Sequence, residues 1–256
     1  MPLISVIVVT YNAGLKVFKT LNSIFKQLYT NFEVIVIDGG STDDTLVHVL
    51  PFKDKLAYFV SEPDRGIYDA MNKGIDKANG EFCIFLNAGD VFFSEESLLT
   101  VCEMLQNNAE IGFFVGNAVY DYESSGLYKF YPQFKSLPYS FCHQSMFFRT
   151  NVIKHYHYDI SYKLSGDSEL FYRLIQNNIK MKFFDVILIR EEAGDGATIH
   201  NLYSSAKELY SIPYITNRIG KGRRVLRLLK IKVFAILHRF LPMTILLLIS
   251  RKQKYA

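Results

Sequence analysis

Two aspartates stand where a glycine-rich turn follows an apolar run. Asp38 follows Glu33–Ile37 and opens the turn Gly39-Gly40-Ser41-Thr42-Asp43-Asp44-Thr45, and Asp90 follows Phe82–Leu86 through Asn87-Ala88-Gly89. An acid at the end of a buried strand accepts hydrogen bonds from a ribose hydroxyl or a base amide, and glycines let backbone come close to a ligand. Each acid also fits a plainer role, Asp38 as the cap of its turn and Asp90 as the N-cap of the helix that follows. The first apolar run, Ile4–Val9, leads into Thr10-Tyr11-Asn12-Ala13-Gly14, and the chain has neither G-x-G-x-x-G at that turn nor a Walker sequence. A diphosphate held without such a cradle needs another counter-charge. A divalent metal on Asp90 supplies it, since Mg²⁺ or Mn²⁺ is bound through one or two carboxylates plus phosphate oxygens and water.

The elements that must position these acids follow from periodicity. Apolar β-branched runs predict strands at Ile4–Val9, Glu33–Ile37, Leu56–Val60 and Phe82–Leu86, and the segments between carry helical spacing, as in Val17, Leu21, Ile24, Phe25 and Leu28. Strands alternating with helices predict βαβ units and a mainly parallel sheet. In such a sheet the strand ends lie on one edge, where ligands bind. Further on, the pattern predicts a helix over Glu95–Asn107, a buried strand near Ile111–Val115 and a Tyr-rich stretch of strands and loops through Tyr139. Helical spacing returns at Ser168–Ile175, followed by a strand over Met181–Ile189 and a loop over Glu191–Asn201.

Charge divides the chain. The net charge is +4, yet no Asp or Glu follows Glu208 while eleven Lys and Arg do; residues 1–208 hold the other 18 basic residues against all 25 acids, a net −7. A basic tail on an acidic body predicts an anionic partner. From Arg223 a helical wheel sets Arg223, Arg227 and Lys230 on one side, with Val225, Leu229, Val233, Ile236 and Phe240 opposite. Val233–Ile249 approaches spanning length, but His238, Arg239 and Pro242 interrupt it, so an in-plane anchor on an anionic membrane surface, through residues 223–256, fits better than a spanning helix. The apolar face is larger than phosphate binding needs, which argues against nucleic acid. Cys83, Cys102 and Cys142 have no metal-ligand spacing and read as reduced, buried thiols. The run Leu3–Val9 is too short to span a bilayer and has no leader features, so it reads as a first strand of a cytoplasmic body.

Four ordered segments resemble glycosyltransferase family 2: Ile4-Ser5-Val6-Ile7-Val8-Val9-Thr10-Tyr11-Asn12, Val36-Ile37-Asp38-Gly39-Gly40-Ser41-Thr42-Asp43, Glu62-Pro63-Asp64-Arg65-Gly66-Ile67-Tyr68-Asp69-Ala70-Met71-Asn72-Lys73-Gly74, and Phe85-Leu86-Asn87-Ala88-Gly89-Asp90. The third looks like the branch that builds bacterial surface polysaccharides, and the likeness covers roughly residues 3–190. It implies an α/β GT-A fold: a Rossmann-like, mainly parallel sheet with helices on both faces, fused to an acceptor-binding half and followed here by the amphipathic tail. The corresponding division is 1–110 for the nucleotide sugar, 111–217 for the acceptor and 218–256 for the tail. It implies inverting transfer from a nucleotide-sugar donor to a glycan or lipid-linked glycan acceptor at the cytoplasmic face of the inner membrane.

By position, the resemblance assigns Thr10, Tyr11, Asn12 and Asp38 to nucleobase and ribose, and Asp69, Asn72 and Lys73 to the helix beneath diphosphate and sugar. Asp90 matches the last acid of the family's metal-binding Asp-x-Asp element, from which this chain departs by carrying Ala88 in the first acidic place. Ser165-Gly166-Asp167-Ser168-Glu169-Leu170 resembles the segment whose acid serves as general base, matched by Asp167 with Glu169 as fallback; a helix N-cap is the plainer role for Asp167. His143, Gln144 and Glu169 are candidate acceptor contacts, Gly194–Thr198 matches a loop that closes over the donor, and His200 is a candidate further metal ligand. Two other readings remain: a catalytically silent glycan-binding scaffold of the same fold, and a nucleotidyltransferase, for which Asn12-Ala13-Gly14 is a poor phosphate loop.

Overall fold

The computed structural model describes residues 3–106, 108–122, 126–135, 137–192 and 201–237. Strand β1 (Ile4–Thr10) is buried along its whole length, which is why its sequence is continuously apolar rather than alternating. It lies between β2 (Phe32–Asp38) and β4 (Phe82–Asn87), both parallel to it, with β3 (Tyr58–Ser61) parallel beyond β2. The register sets Thr10 beside Asp38 and Val9 beside Asn87. The expected parallel edge is therefore present, formed by the ends of three adjacent strands.

The contiguous parallel block ends at β4. β8 (Met146–Arg149) runs antiparallel to it and β6 (Phe113–Asp121) antiparallel to β8. β9 (Met181–Glu192) runs parallel to β6 and closes the sheet with the two-residue β5 (Val91–Phe92), while β7 (Leu127–Phe130) pairs with the outer part of β6. β9 runs past the expected end at Ile189 as far as Glu192, because it is paired on both sides there: Arg190 faces Val91 and Glu192 faces Asp121. Glu191 thus sits on a strand, not in a loop.

Helices cover both faces. α1 (Leu15–Phe25), α2 (Thr45–Val49) and α4 (Ser97–Leu105) pack Val17, Leu21, Ile24, Val49, Leu98 and Val101 against one side. α1 stops at Phe25, so Leu28 falls outside the helix and is 57% exposed rather than continuing the stripe. On the other side lie α3 (Ile67–Lys77), α5 (Thr150–Tyr156), α6 (Gly166–Gln176), α7 (Leu202–Leu209) and α8 (Pro213–Arg218). α3 approaches β1 so closely that a Cβ on Gly74 would lie 2.4 Å from Ile7 Cγ2. Each fully buried Ile or Leu in these layers contributes about 1.5–3 kcal/mol. Cys83, Cys102 and Cys142 are buried free thiols, as their spacing suggested.

Helix α9 (Lys221–Leu237) follows. It packs through Leu228 and Ile231, and Arg227 donates to the Leu137 carbonyl. Val225, Leu226, Leu229 and Val233 are half exposed on another face. No helix among the described residues is long and apolar enough to cross a membrane. Residues 238–256, Gly194–Thr198 and His200 lie outside the described residues.

Candidate active site

The three strand ends differ in how their polar groups are used. The Thr10 hydroxyl is buried with no hydrogen-bond partner. The Tyr11 ring, 63% exposed, stands over the Gly39 turn with Asp64 close by: a Cβ on Gly39 would lie 3.3 Å from the ring and 2.5 Å from Asp64 Oδ2. Asn12, at positive φ, accepts from the Thr42 amide at 2.9 Å, and its own amide donates to Ser41 Oγ. Asp38 is fully buried. Its Oδ2 accepts from the amides of Gly40 and Ser41 and from Ser61 Oγ at 2.6 Å, and its Oδ1 accepts from Ser41 Oγ. Its carboxylate is thus satisfied by its own turn and by β3.

Asp90 has another environment. Thr20, buried on α1, holds the Gly89–Asp90 turn by accepting from the Gly89 amide at 2.9 Å and donating to the Asp90 carbonyl at 2.8 Å. Gly89 has φ 110°, and a Cβ there would lie 2.5 Å from Glu192 Oε2. The β5–β9 register, with Val91 opposite Arg190, brings Asp90 opposite Glu191, and the Glu192 amide donates to Asp90 Oδ1 at 3.2 Å. Burial first, and the neighbouring Glu191 charge second, push the Asp90 carboxyl well above the usual carboxylate range. Cys142 donates its thiol hydrogen to Glu191 Oε2 at 3.2 Å. Two facing acids in a buried place suit a hard cation. Among the described residues no group of three or more His, Cys, Asp or Glu forms a metal cage. The site therefore fits Mg²⁺ or Mn²⁺ only with oxygens of the substrate completing the shell.

Helix α3 carries three of the candidate donor residues, and each is engaged. Asp69 takes Arg65 by guanidinium and amide at 2.9 and 3.0 Å, and Arg65 holds its carboxyl below the usual range. The Asn72 amide is used at both ends on the Tyr158 backbone. Lys73 pairs with Glu62 at 2.7 Å.

On the same side of the sheet, Asp167 stands in the first turn of α6, where Tyr68 Oη of α3 donates to its Oδ1 at 3.2 Å. Glu169 is closed by Arg173 at 2.9 and 3.0 Å, so of the two acids on α6 only Asp167 keeps an oxygen outside an ion pair. His143 is buried, stacked on Phe85 and 2.5 Å from Tyr158 Oη; burial lowers its pKa, against the Asp167 charge. Gln144 is buried and takes the weak Cys142 contact at 3.5 Å.

Thr20, Tyr68, Tyr158 and Glu191 were missed by sequence reading. Thr20 and Tyr68 occupy helix positions whose neighbours are core residues, and only a polar atom on an apolar face marked them. A cavity of about 510 Å³ lies on the α1 side, lined by Phe18, Asn22, Lys26, Gly89 and Arg190 among others; Asp38, Asp90 and Asp167 are not in its wall.

A glycosyltransferase of PGL/p-HBAD biosynthesis from Mycobacterium bovis is 28% identical over 184 residues, 69% of this chain and 71% of that protein. The Escherichia coli UDP-Glc:alpha-D-GlcNAc-diphosphoundecaprenol beta-1,3-glucosyltransferase WfgD is 34% identical over 116 residues, 45% of each chain. In fold, the chain resembles the mannosyltransferase PcManGT of Pyrobaculum calidifontis, solved with GDP-Man and Mn²⁺, with a TM-score of 0.66 at 18% identity over 91% of this chain and 70% of that one. The expected GT-A architecture is thus present. The sequence model of glycosyl transferase family 2 matches residues 5–164, and the chain belongs to that family.

Proposed function

We propose that this glycosyltransferase moves a sugar from a nucleotide diphosphate sugar to a hydroxyl of a lipid-linked glycan, with inversion, in cell-surface polysaccharide synthesis. The observation that carries the reading is the pair Asp90 and Glu191, facing each other at the open end of the parallel strands beside the Asp38 turn. The donor's nucleobase lies against Tyr11, between Thr10, Asn12 and the Asp38 turn, with its diphosphate toward the Asp69–Lys73 segment of α3. Asp90 and Glu191 would hold Mg²⁺ or Mn²⁺, whose charge stabilises the departing diphosphate. Asp167 takes the proton of the acceptor hydroxyl as that oxygen attacks the anomeric carbon opposite the leaving group. His143 and Gln144 shape the acceptor side, and the closed Arg173 pair sets Glu169 aside as base. The acceptor class is supported by the resemblance to WfgD, whose name gives a diphosphoundecaprenol acceptor and a UDP-sugar donor.

The test is nucleotide release from UDP-glucose, UDP-N-acetylglucosamine and GDP-mannose by the purified chain with Mn²⁺. Slow release with one of them, abolished by Asp90→Ala and cut about a hundredfold, to a measurable residue, by Asp167→Asn, is the expected result. Release that survives Asp90→Ala contradicts the metal assignment, and no release with any donor contradicts the enzymatic reading as a whole.

We place the chain peripherally at the cytoplasmic face of the inner membrane. Support comes from α9, whose exposed Val225, Leu226, Leu229 and Val233 run beside Lys221, Arg223, Lys230 and Lys232, the apolar and cationic pairing suited to an anionic bilayer surface. Sedimentation with phosphatidylglycerol vesicles should fall at least about fivefold in a Leu229→Glu, Val233→Glu variant; equal sedimentation rejects α9 as the docking face.

A further inference from the structure

We infer that Tyr68 is a positioning residue for the Asp167 carboxylate, so that helix α3, the donor-side helix, also sets the orientation of the base. The inference rests on Asp167 being that base.

Tyr68 lies on the buried face of α3, 7% exposed, among Ala70, Met71 and Ile75 of the same core. Packing alone would be met by Phe at such a position. Its hydroxyl instead reaches across 99 residues of sequence to donate to Asp167 Oδ1 at 3.2 Å. Burial, and the nearby Asp167 charge after it, push the phenol pKa far upward, so Tyr68 keeps its proton and acts as donor. With Oδ1 taken, Oδ2 has no hydrogen bond among the described residues and is the oxygen left to receive a proton.

The ring that carries this hydroxyl is held on two sides. Tyr158 stacks on it with centroids 5.3 Å apart and planes 26° from parallel. Gly166, the residue before the base, presents no side chain where the ring passes: a Cβ there would lie 2.8 Å from Cδ2 and Cε2 of Tyr68. Asn72, one helical turn after Tyr68 on α3, grips Tyr158 by accepting from its amide at 2.8 Å and donating to its carbonyl at 2.9 Å. α3 therefore holds both the hydroxyl and the platform under its ring. A carboxylate kept in one rotamer loses no orientation entropy when the acceptor arrives.

The experiment is a double-mutant cycle read by nucleotide release from the three donors named above, with Mn²⁺. Tyr68→Phe should lower kcat about tenfold, the scale of one hydrogen bond to a charged group. It should leave the calorimetric Kd for UDP or GDP within about twofold. On the Asp167→Asn background the same change should cost nothing further, because the tyrosine acts only through the carboxylate. A tenfold loss that persists on that background, or a weakened nucleotide Kd equal to the loss in kcat, assigns Tyr68 to packing or to donor binding and overturns the inference. Full turnover in Asp167→Asn overturns the base reading itself, whereas an inactive Asp167→Asn beside a fully active Tyr68→Phe overturns only the role of the tyrosine. A readout independent of turnover is the ¹⁹F resonance of 3-fluorotyrosine at position 68. It should move in Asp167→Asn and stay in place in Glu169→Gln; a resonance indifferent to Asp167→Asn also overturns the inference.

Discussion

Asp38 and Asp90 end neighbouring parts of one sheet edge, yet their surroundings are opposite. Asp38 collects four hydrogen bonds, two from amides of its own turn and two from the Ser41 and Ser61 hydroxyls. Asp90 receives backbone hydrogen bonds only, from Glu192 and Asn87, and lies beside the carboxylate of Glu191. A buried carboxylate surrounded by donors is complete; one beside a second acid is stabilised by an added cation. The same residue type thus builds the turn in one place and leaves an electrostatic demand in the other. The difference traces to position: Asp38 lies among parallel strands whose loops are its own, whereas Asp90 lies where β5 meets β9 antiparallel and a distant acid is brought opposite.

The largest effect should come from Asp90→Ala, about 10³-fold or more in nucleotide release if the leaving diphosphate depends on that acid; a loss under tenfold would level the two aspartates. Asp38→Ala should act on stability instead. It strands the Gly40 and Ser41 amides and the Ser61 hydroxyl, at a cost of about 2–4 kcal/mol in denaturant unfolding, while Mn²⁺ affinity stays within about threefold. An unchanged midpoint would show that the turn does not depend on the carboxylate.

The smallest effect concerns His143. Burial holds its pKa below its ordinary value of 6.5, so the unfolded chain takes up the proton first as pH falls. The stability this neutral ring contributes is present above pH 6.5 and is lost below it, at no more than about 1.4 kcal/mol per pH unit. His143→Gln should flatten the acid side of the unfolding profile; an unaltered slope would mean that the ring is not held neutral by burial.

Much of the donor half was legible in the sequence. Continuous apolar runs marked β1, β2 and β4, and Gly-rich polar turns marked their ends, because parallel central strands are buried on both faces and must release their chain at one edge. The acceptor side was less legible. The apolar pattern of β9 ends at Ile189, since the acidic pair Glu191-Glu192 signals a loop until pairing with β5 and β6 keeps it in the sheet. Ala88 left the metal element one acid short, and the acid opposite Asp90 lies 101 positions later, joined to it only by register. Tyr68 falls within the Glu62–Gly74 motif, but its partner Asp167 is equally remote. Pairings of this kind are set by tertiary packing, which no local period encodes.

The most direct test of the contrast is a calorimetric titration of Mn²⁺ into the full chain holding saturating UDP, for wild type and Asp90→Asn. The account predicts binding to wild type and affinity at least about tenfold weaker in the variant. Equal affinity in both, or no binding to wild type with UDP in place, would contradict it.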